Sequence, residues 1–251
     1  MGGAKNCPET PRQKMIGMMY LVLTAMLALN VSAAILNGYT QVDDSLHATI
    51  ETTVAQNTAA YKRFAAALEQ NPEKTQQWYD KAMEVKAKSQ EMFEYIQKFK
   101  DDMVNMSGGA VDKETKTVIE TNASVRQINK ADDTNNPERY GINDGHATEL
   151  KNKIIEYSSF LKELADDDNF DASIDATFDV SSGKNAEGHS VSWEESIFKE
   201  MPLCAVITVL TKIQNDVRNF EGKTVNLLYQ GTDAGDIRVN KLSAYVIPSS
   251  D

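Results

Sequence analysis

Apolar and polar positions follow a helical beat along almost the whole chain, and the beat changes character at both ends. From Met15 to Val42 there is no Asp, Glu, Lys or Arg. Met15 to Gly38 gives 24 residues interrupted only by Tyr20, Thr24, Asn30, Ser32 and Asn37. At about 1.5 Å per residue this segment spans roughly 36 Å as a helix, enough to cross about 30 Å of hydrocarbon. Thr10 as N-cap, Pro11 in the first helical position and Gln13 closing a capping box predict its start. A cleavable signal peptide, cut after "VSA" at Ala33, is the rival. The apolar run outlasts an ordinary signal core and continues past Ala33, which favours an uncleaved anchor.

The beat continues beyond the span. Val42, Leu46, Ile50, Val54, Tyr61, Phe64 and Leu68 fall at spacings of three, four or seven, with no Gly or Pro between Tyr39 and Asn71. One rod is therefore expected from the span out to about Gln70. Asn71 and Pro72 stop it and start a second helix with Trp78, Ala82, Val85, Met92, Ile96, Phe99, Met103 and Met106 inward, halted at Gly108-Gly109. Residues 110–143 are polar, with room for a short strand pair or helix. A third helix, about His146 to Ala165, turns Leu150, Ile154, Tyr157, Leu161 and Leu164 inward. The stretch from Asp166 to Ser190 reads as a long acidic loop. Ser192 and Glu195 form a capping box for a short helix, and Pro202 precedes the last long helix, about Leu203 to Tyr229. After Gly231, "DIRVNKLSAYVIPSSD" switches to β-branched and aromatic residues, as the first strand of a β-domain that the chain only begins.

The expectation is an all-α protein: a single transmembrane helix continuing into an antiparallel helical bundle, with the start of a β-domain at its C-terminus, truncated. Its divisions are 1–14 (cytoplasmic), 15–38 (transmembrane), 39–230 (bundle, periplasmic) and 231–251 (linker and strand).

Charge sets the orientation. The net charge is −11, and it is uneven: residues 1–42 carry +2, leaving −13 on the remainder. Arg12 and Lys14 precede the span while Asp43, Asp44 and Glu51 follow it, so the positive-inside rule puts the N-terminus in the cytoplasm. An acidic body repels phosphate backbones and argues against nucleic-acid binding. Cys7 and Cys204 fall on opposite sides of the span and cannot pair. From Asp167, an EF-hand loop would place Asp167, Asn169 and Asp171 correctly, but Ala172 stands where Gly is needed and Phe178 where a bidentate Glu is needed, so that calcium reading fails. His47, His146 and His189 are scattered, and no catalytic or metal-ligand motif is present. The chain gives no sign of an enzyme, a metal or a cofactor.

Within the span, Thr24, Ala28 and Ser32 recur every four residues, a row that lets another helix approach closely. At about 100° per residue Arg12 and Asn30 share a face, with Tyr20 and Thr24 some 80–120° round. Such groups are costly against lipid and suit protein neighbours. For Arg12 the spacing alone favours an interfacial anchor; for Asn30, an interhelical hydrogen bond.

"TPRQKMIGMMYLVLTAMLALNVSAAILNGY" and "MPLCAVITVLTKIQNDVRNFE" resemble the corresponding stretches of the GldM/PorM family. These are inner-membrane proteins of gliding motility and type IX secretion in Bacteroidetes-type bacteria. The resemblance implies a homodimer whose transmembrane helices sit in a ring, expected to be a pentamer, of a polytopic partner, GldL/PorL. Proton-motive force turns or rocks the pair, and periplasmic domains carry the motion to other secretion components. The family's membrane-edge arginine corresponds to Arg12, implied to pair with a glutamate of the ring, and its tyrosine to Tyr20. Two other readings remain: a four-helix periplasmic sensor, which would need a second span, and a passive periplasmic scaffold.

Overall fold

A computed structural model describes residues 11–112, 114–165, 167–184 and 188–232, and their side chains except those of 25–33. It is mostly helical. Helix α1, Pro11–Gln70, has 60 residues and no break at Gly38; at about 1.5 Å per residue it is roughly 90 Å long. The N-cap Thr10 and residues 233–251 of the expected 231–251 linker and strand lie outside the described residues; Gly231 is the last residue of the final long helix.

A single residue, Asn71, joins α1 to α2 (Pro72–Met106). Pro72 fits because the first N–H groups of a helix have no intrahelical partner to lose. The two helices fold back on each other, with the Phe64 and Tyr79 rings 5.8 Å apart. Gly108 and Gly109, at φ +100° and +74°, end α2 in a conformation costly for any residue with a Cβ. A tight hairpin follows, β1 (Ala110–Val111) with β2 (Val118–Ile119). Then come a 3₁₀ turn at Val125–Gln127, α3 (Asn135–Glu138) and a π turn at Arg139–Asn143, so the polar stretch holds both strands and helix.

Helix α4, His146–Ala165, buries Leu150, Ile154, Tyr157 and Leu161 as its spacing predicts. The acidic stretch after it is not a loop throughout. Residues Asp168–Thr177 form α5. Asp167 caps it by accepting from the Asn169 and Phe170 N–H groups at 2.9 Å, and Phe170, Ile174 and Phe178 fall four apart. Ile174 is fully buried, while Phe170 and Phe178 sit 5.7 and 5.4 Å from the Phe220 ring. An acidic surface had masked an apolar face. Strands β3 (Gly183–Lys184) and β4 (Ser190–Val191) and helix α6 (Trp193–Phe198), capped by Ser192, lead to α7, Leu203–Gly231.

The helices do not simply alternate in direction. Contacts between α1 and α7 climb together: Asp43 meets Thr211, Asn57 meets Arg218, Tyr61 meets Glu221 and Phe64 meets Tyr229. Helix α2 runs against both, Lys100 reaching Thr211 and Gln90 reaching Arg218. Helix α4 runs against α2, Lys153 lying over Tyr95 and Tyr157 beside Ser89, and hence with α7, where its Tyr157 hydroxyl donates to Val217 O at 3.3 Å. Three long helices therefore share one direction and α2 alone opposes them, which corrects the expected antiparallel order. The cause lies between Ala165 and Leu203. There α5, the β3–β4 pair and α6 carry the chain back to where α2 ended, so that Phe198 packs 5.7 Å from Phe99 and α7 starts level with α4.

The core is contiguous through Ile96, Phe99, Met103, Leu150, Ile154, Leu161, Phe198, Leu203, Ile207 and Leu210. Each such side chain contributes about 1.5–3 kcal/mol on burial. On α1 the spacing predicts Val42 and Val54 inward, but they are 51% and 39% exposed. The buried positions are instead Thr40, Asp43, Ile50, Thr53, Asn57, Tyr61 and Phe64.

Candidate functional site

The residues singled out in the apolar segment lie along α1 ahead of the helical body. Arg12 is exposed near the helix start and Tyr20 is 73% exposed. They stand about 80° and roughly 12 Å apart along the helix, so they do not meet each other. The Thr24 hydroxyl donates to Tyr20 O at 2.8 Å, which removes its polarity from the surface. Ala28, Asn30 and Ser32 lie outside the described side chains. Met15, Met18, Met19, Leu21, Val22 and Leu23 are each more than half exposed. So dense an apolar surface calls for a nonaqueous or protein neighbour. Among the described residues no helix is long and apolar enough to cross a membrane; the expected span overlaps residues 25–33.

Beyond Gly38 the structure reveals polar chemistry that periodicity missed. Asp43 is fully buried. Its Oδ2 accepts from the Val125 N–H at 3.1 Å, and its Oδ1 lies 3.0 Å from the Thr211 hydroxyl. Thr211 in turn accepts from Lys100 Nζ at 2.9 Å, and the ammonium also donates to Gln214 Oε1 at 3.0 Å. Gln214 closes the set by donating to Phe93 O and Gln97 Oε1, both at 3.2 Å. Burial pushes the Lys100 ammonium down to about 8, against the pull of Asp43 and Asp101, which favour its charge. One carboxylate thus ties α1 to the 3₁₀ turn and α7, and through Thr211 to α2. Beside it, Arg126 donates to Asp44 at 2.8 Å in an exposed ion pair, and His47 Nδ1 lies 3.6 Å from Asp43 Oδ2.

A second polar group sits farther along the same seam. Arg218 pairs with Glu221 at 2.9 Å, both nearly buried. The other Glu221 oxygen accepts from the Tyr61 hydroxyl at 3.0 Å, so burial and this carboxylate raise the phenol well above its ordinary value. Arg218 also donates to Gln90 Oε1 at 2.5 Å and stacks 4.4 Å over Phe93. Asn57 Nδ2 donates to Arg218 O at 2.8 Å. Gly222 permits that contact: a Cβ there would lie 2.2 Å from Asn57 Oδ1. A cavity of about 390 Å³ opens beside this group between α1 and α2.

Cys204 is buried and burial raises its thiol to about 11, so it is a poor nucleophile. His146 stacks on Tyr140 at 4.3 Å. Among the described residues no cluster of three or more His, Cys, Asp or Glu could hold a metal ion.

A signal for the polar seam did exist. Thr211, Gln214, Arg218 and Glu221 recur at spacings of three and four beside the apolar stripe of α7, and Lys100 sits four residues from Ile96 in the stripe of α2. A polar stripe at helical spacing marks a facing polar stripe, and α1 supplies it.

Fold and seam together define a helical domain that clasps one very long helix by buried hydrogen bonds, with an apolar extension of that helix left bare. The chain belongs to the GldM family: residues 34–231 match the GldM N-terminal domain, as the resemblance implied. The match covers the helical body and ends with α7. No curated protein matches. The family comprises membrane-associated components of gliding motility and type IX secretion, structural or motor parts rather than classical enzymes.

Proposed function

We propose that this chain is the single-pass inner-membrane subunit of a proton-driven motor, and that it passes motion from a membrane ring to periplasmic secretion components. The observation that carries this reading is the continuity of α1. One unbroken helix bears the bare apolar segment at one end and is embedded in the family's domain at the other. A helix transmits rotation and tilt where a flexible linker would dissipate them.

In this reading residues 15–38 span the bilayer, with the N-terminus cytoplasmic and the helical body periplasmic. Arg12 meets a carboxylate of a GldL/PorL-like ring. At low dielectric a guanidinium favours the ionised acid and lowers its pKa, while unpaired acids elsewhere in the ring take up protons. Alternation between the two states as the helices turn couples proton flow to motion, with Tyr20 a polar contact on the path. Two copies of the chain pair within the ring. The Thr24, Ala28 and Ser32 row supports close approach, with Asn30 giving an interhelical hydrogen bond. Farther out on α1, exposed Thr49 and Thr52 donate to the Ser45 and Ala48 carbonyls, so two small outward hydroxyls are satisfied within the helix.

Arg12→Ala should leave the ring complex assembled while secretion falls by about a hundredfold or more, since removing one partner strands the other charge at low dielectric. Arg12→Lys, a point charge without the fork, should restore only part. Normal secretion by Arg12→Ala, at normal abundance, would sink the motor reading and favour a passive scaffold.

A further inference from the structure

We infer that Asp43 and Tyr61 are the two keys through which motion of α1 enters the helical body. This rests on the motor reading and adds to it the place where the load is taken.

A helix held by apolar packing alone can creep about its axis, because such contacts are nondirectional. Hydrogen bonds to a buried carboxylate are directional. A side-chain oxygen about 6 Å from the helix axis moves roughly 2 Å when the helix turns 20°, enough to break a bond near 3 Å. Asp43 lies five residues beyond Gly38, where the expected span ends, and is fully buried with both oxygens engaged by other elements. Tyr61 binds Glu221, itself held by Arg218, about 27 Å farther along α1. Two fixed points on a rod block rotation at both and tilt between them. The inward face of α1 carries polar groups where apolar ones would fill the space, and Val42 and Val54 are turned outward. Packing alone does not call for that arrangement; a grip does.

The test uses the full chain in secreting cells with its ring partner. In the double variant Asp43→Asn/Tyr61→Phe, both changes keep shape; the amide replaces one of the two acceptor oxygens of Asp43 with an NH2 and removes its charge, and the phenyl ring loses the hydroxyl that binds Glu221. It should accumulate and copurify with the ring normally while secretion falls at least about tenfold, as expected when buried bonds that define one position are lost. A disulfide then supplies the missing grip. A Cβ on Gly222 would lie 3.2 Å from Asn57 Cγ, a spacing that suits a bridge between Asn57→Cys and Gly222→Cys. Added to the double variant, this bridge should restore secretion when oxidised and lose that rescue under reductant. Wild-type secretion by the double variant overturns the inference, as does an oxidised bridge without rescue. Should the double variant not accumulate, Thr211→Val/Tyr61→Phe replaces it; failure of that pair to accumulate assigns these groups to folding alone and also overturns the inference. Arg12→Ala, run alongside, tells the two ideas apart. If it abolishes secretion while the double variant does not, the keys fall and the motor reading stands.

Discussion

Lys100 is the residue whose cost is easiest to measure. Its ammonium is almost wholly buried, and burial lowers it from 10.5 to about 8. Between those values the unfolded chain still holds the proton and the folded chain has released it, so stability rises with pH across that window. Below pH 8 both states are charged and the full cost of burying the charge is present. Lys100→Met removes this dependence. The stability of the wild type relative to Lys100→Met should therefore improve by about 3 kcal/mol from pH 8 to 10.5, read as the difference between two denaturation curves of the full chain in detergent. Raised phenols at Tyr61 and Tyr157 act on both proteins alike and cancel. A flat difference across the window would mean the amine is not held in this pocket.

At the scale of elements, legibility depended on whether a helix buries apolar or polar groups. Helix α4 and the stripes of α2 and α7 were readable because Leu150, Ile154, Ile96, Phe99, Val206 and Leu210 repeat at the helical period and are buried. The inward face of α1 was not, because Asp43, Thr53 and Asn57 carry no apolar signature and Val42 suggested the wrong side. Helix α5 was hidden by its acids, although Asp167 and the four-residue spacing of Phe170 and Ile174 were present. Asp167→Ala should cost about 1 kcal/mol as the cap is lost, seen as a small drop in midpoint. Phe64 makes the opposite case. It is fully buried between Tyr79 and Tyr229, with ring distances of 5.8 and 5.4 Å. Phe64→Ala should cost about 3–5 kcal/mol and loosen the α1–α2 turn and the end of α7 together, readable by hydrogen exchange. Of the candidate site, Arg12 and Tyr20 came from the family resemblance; Lys100 and Glu221 came only from the packing.

At the scale of the whole molecule, continuity of α1 is the property to break. A flexible Gly–Ser insertion after Gly38 leaves the apolar segment and the helical body each unchanged in sequence. It should preserve abundance and ring binding yet abolish secretion, because a random coil does not carry torque. Secretion at wild-type level from that variant would show that the two parts need no stiff joint.

The shared direction of α1 and α7 has a geometric result of its own. In an up-down-up-down arrangement of four, the polypeptide comes home: it would leave beside the point of entry, and any attached load would hang near the bilayer. Here the parity is broken, so α7 ends near the far end of α1, with Tyr229 beside Phe64 and Gly231 against Trp78, about 40 Å by helix length from Gly38. In the motor reading proposed above, the domain is then a through-shaft, driven at its base and delivering at its tip.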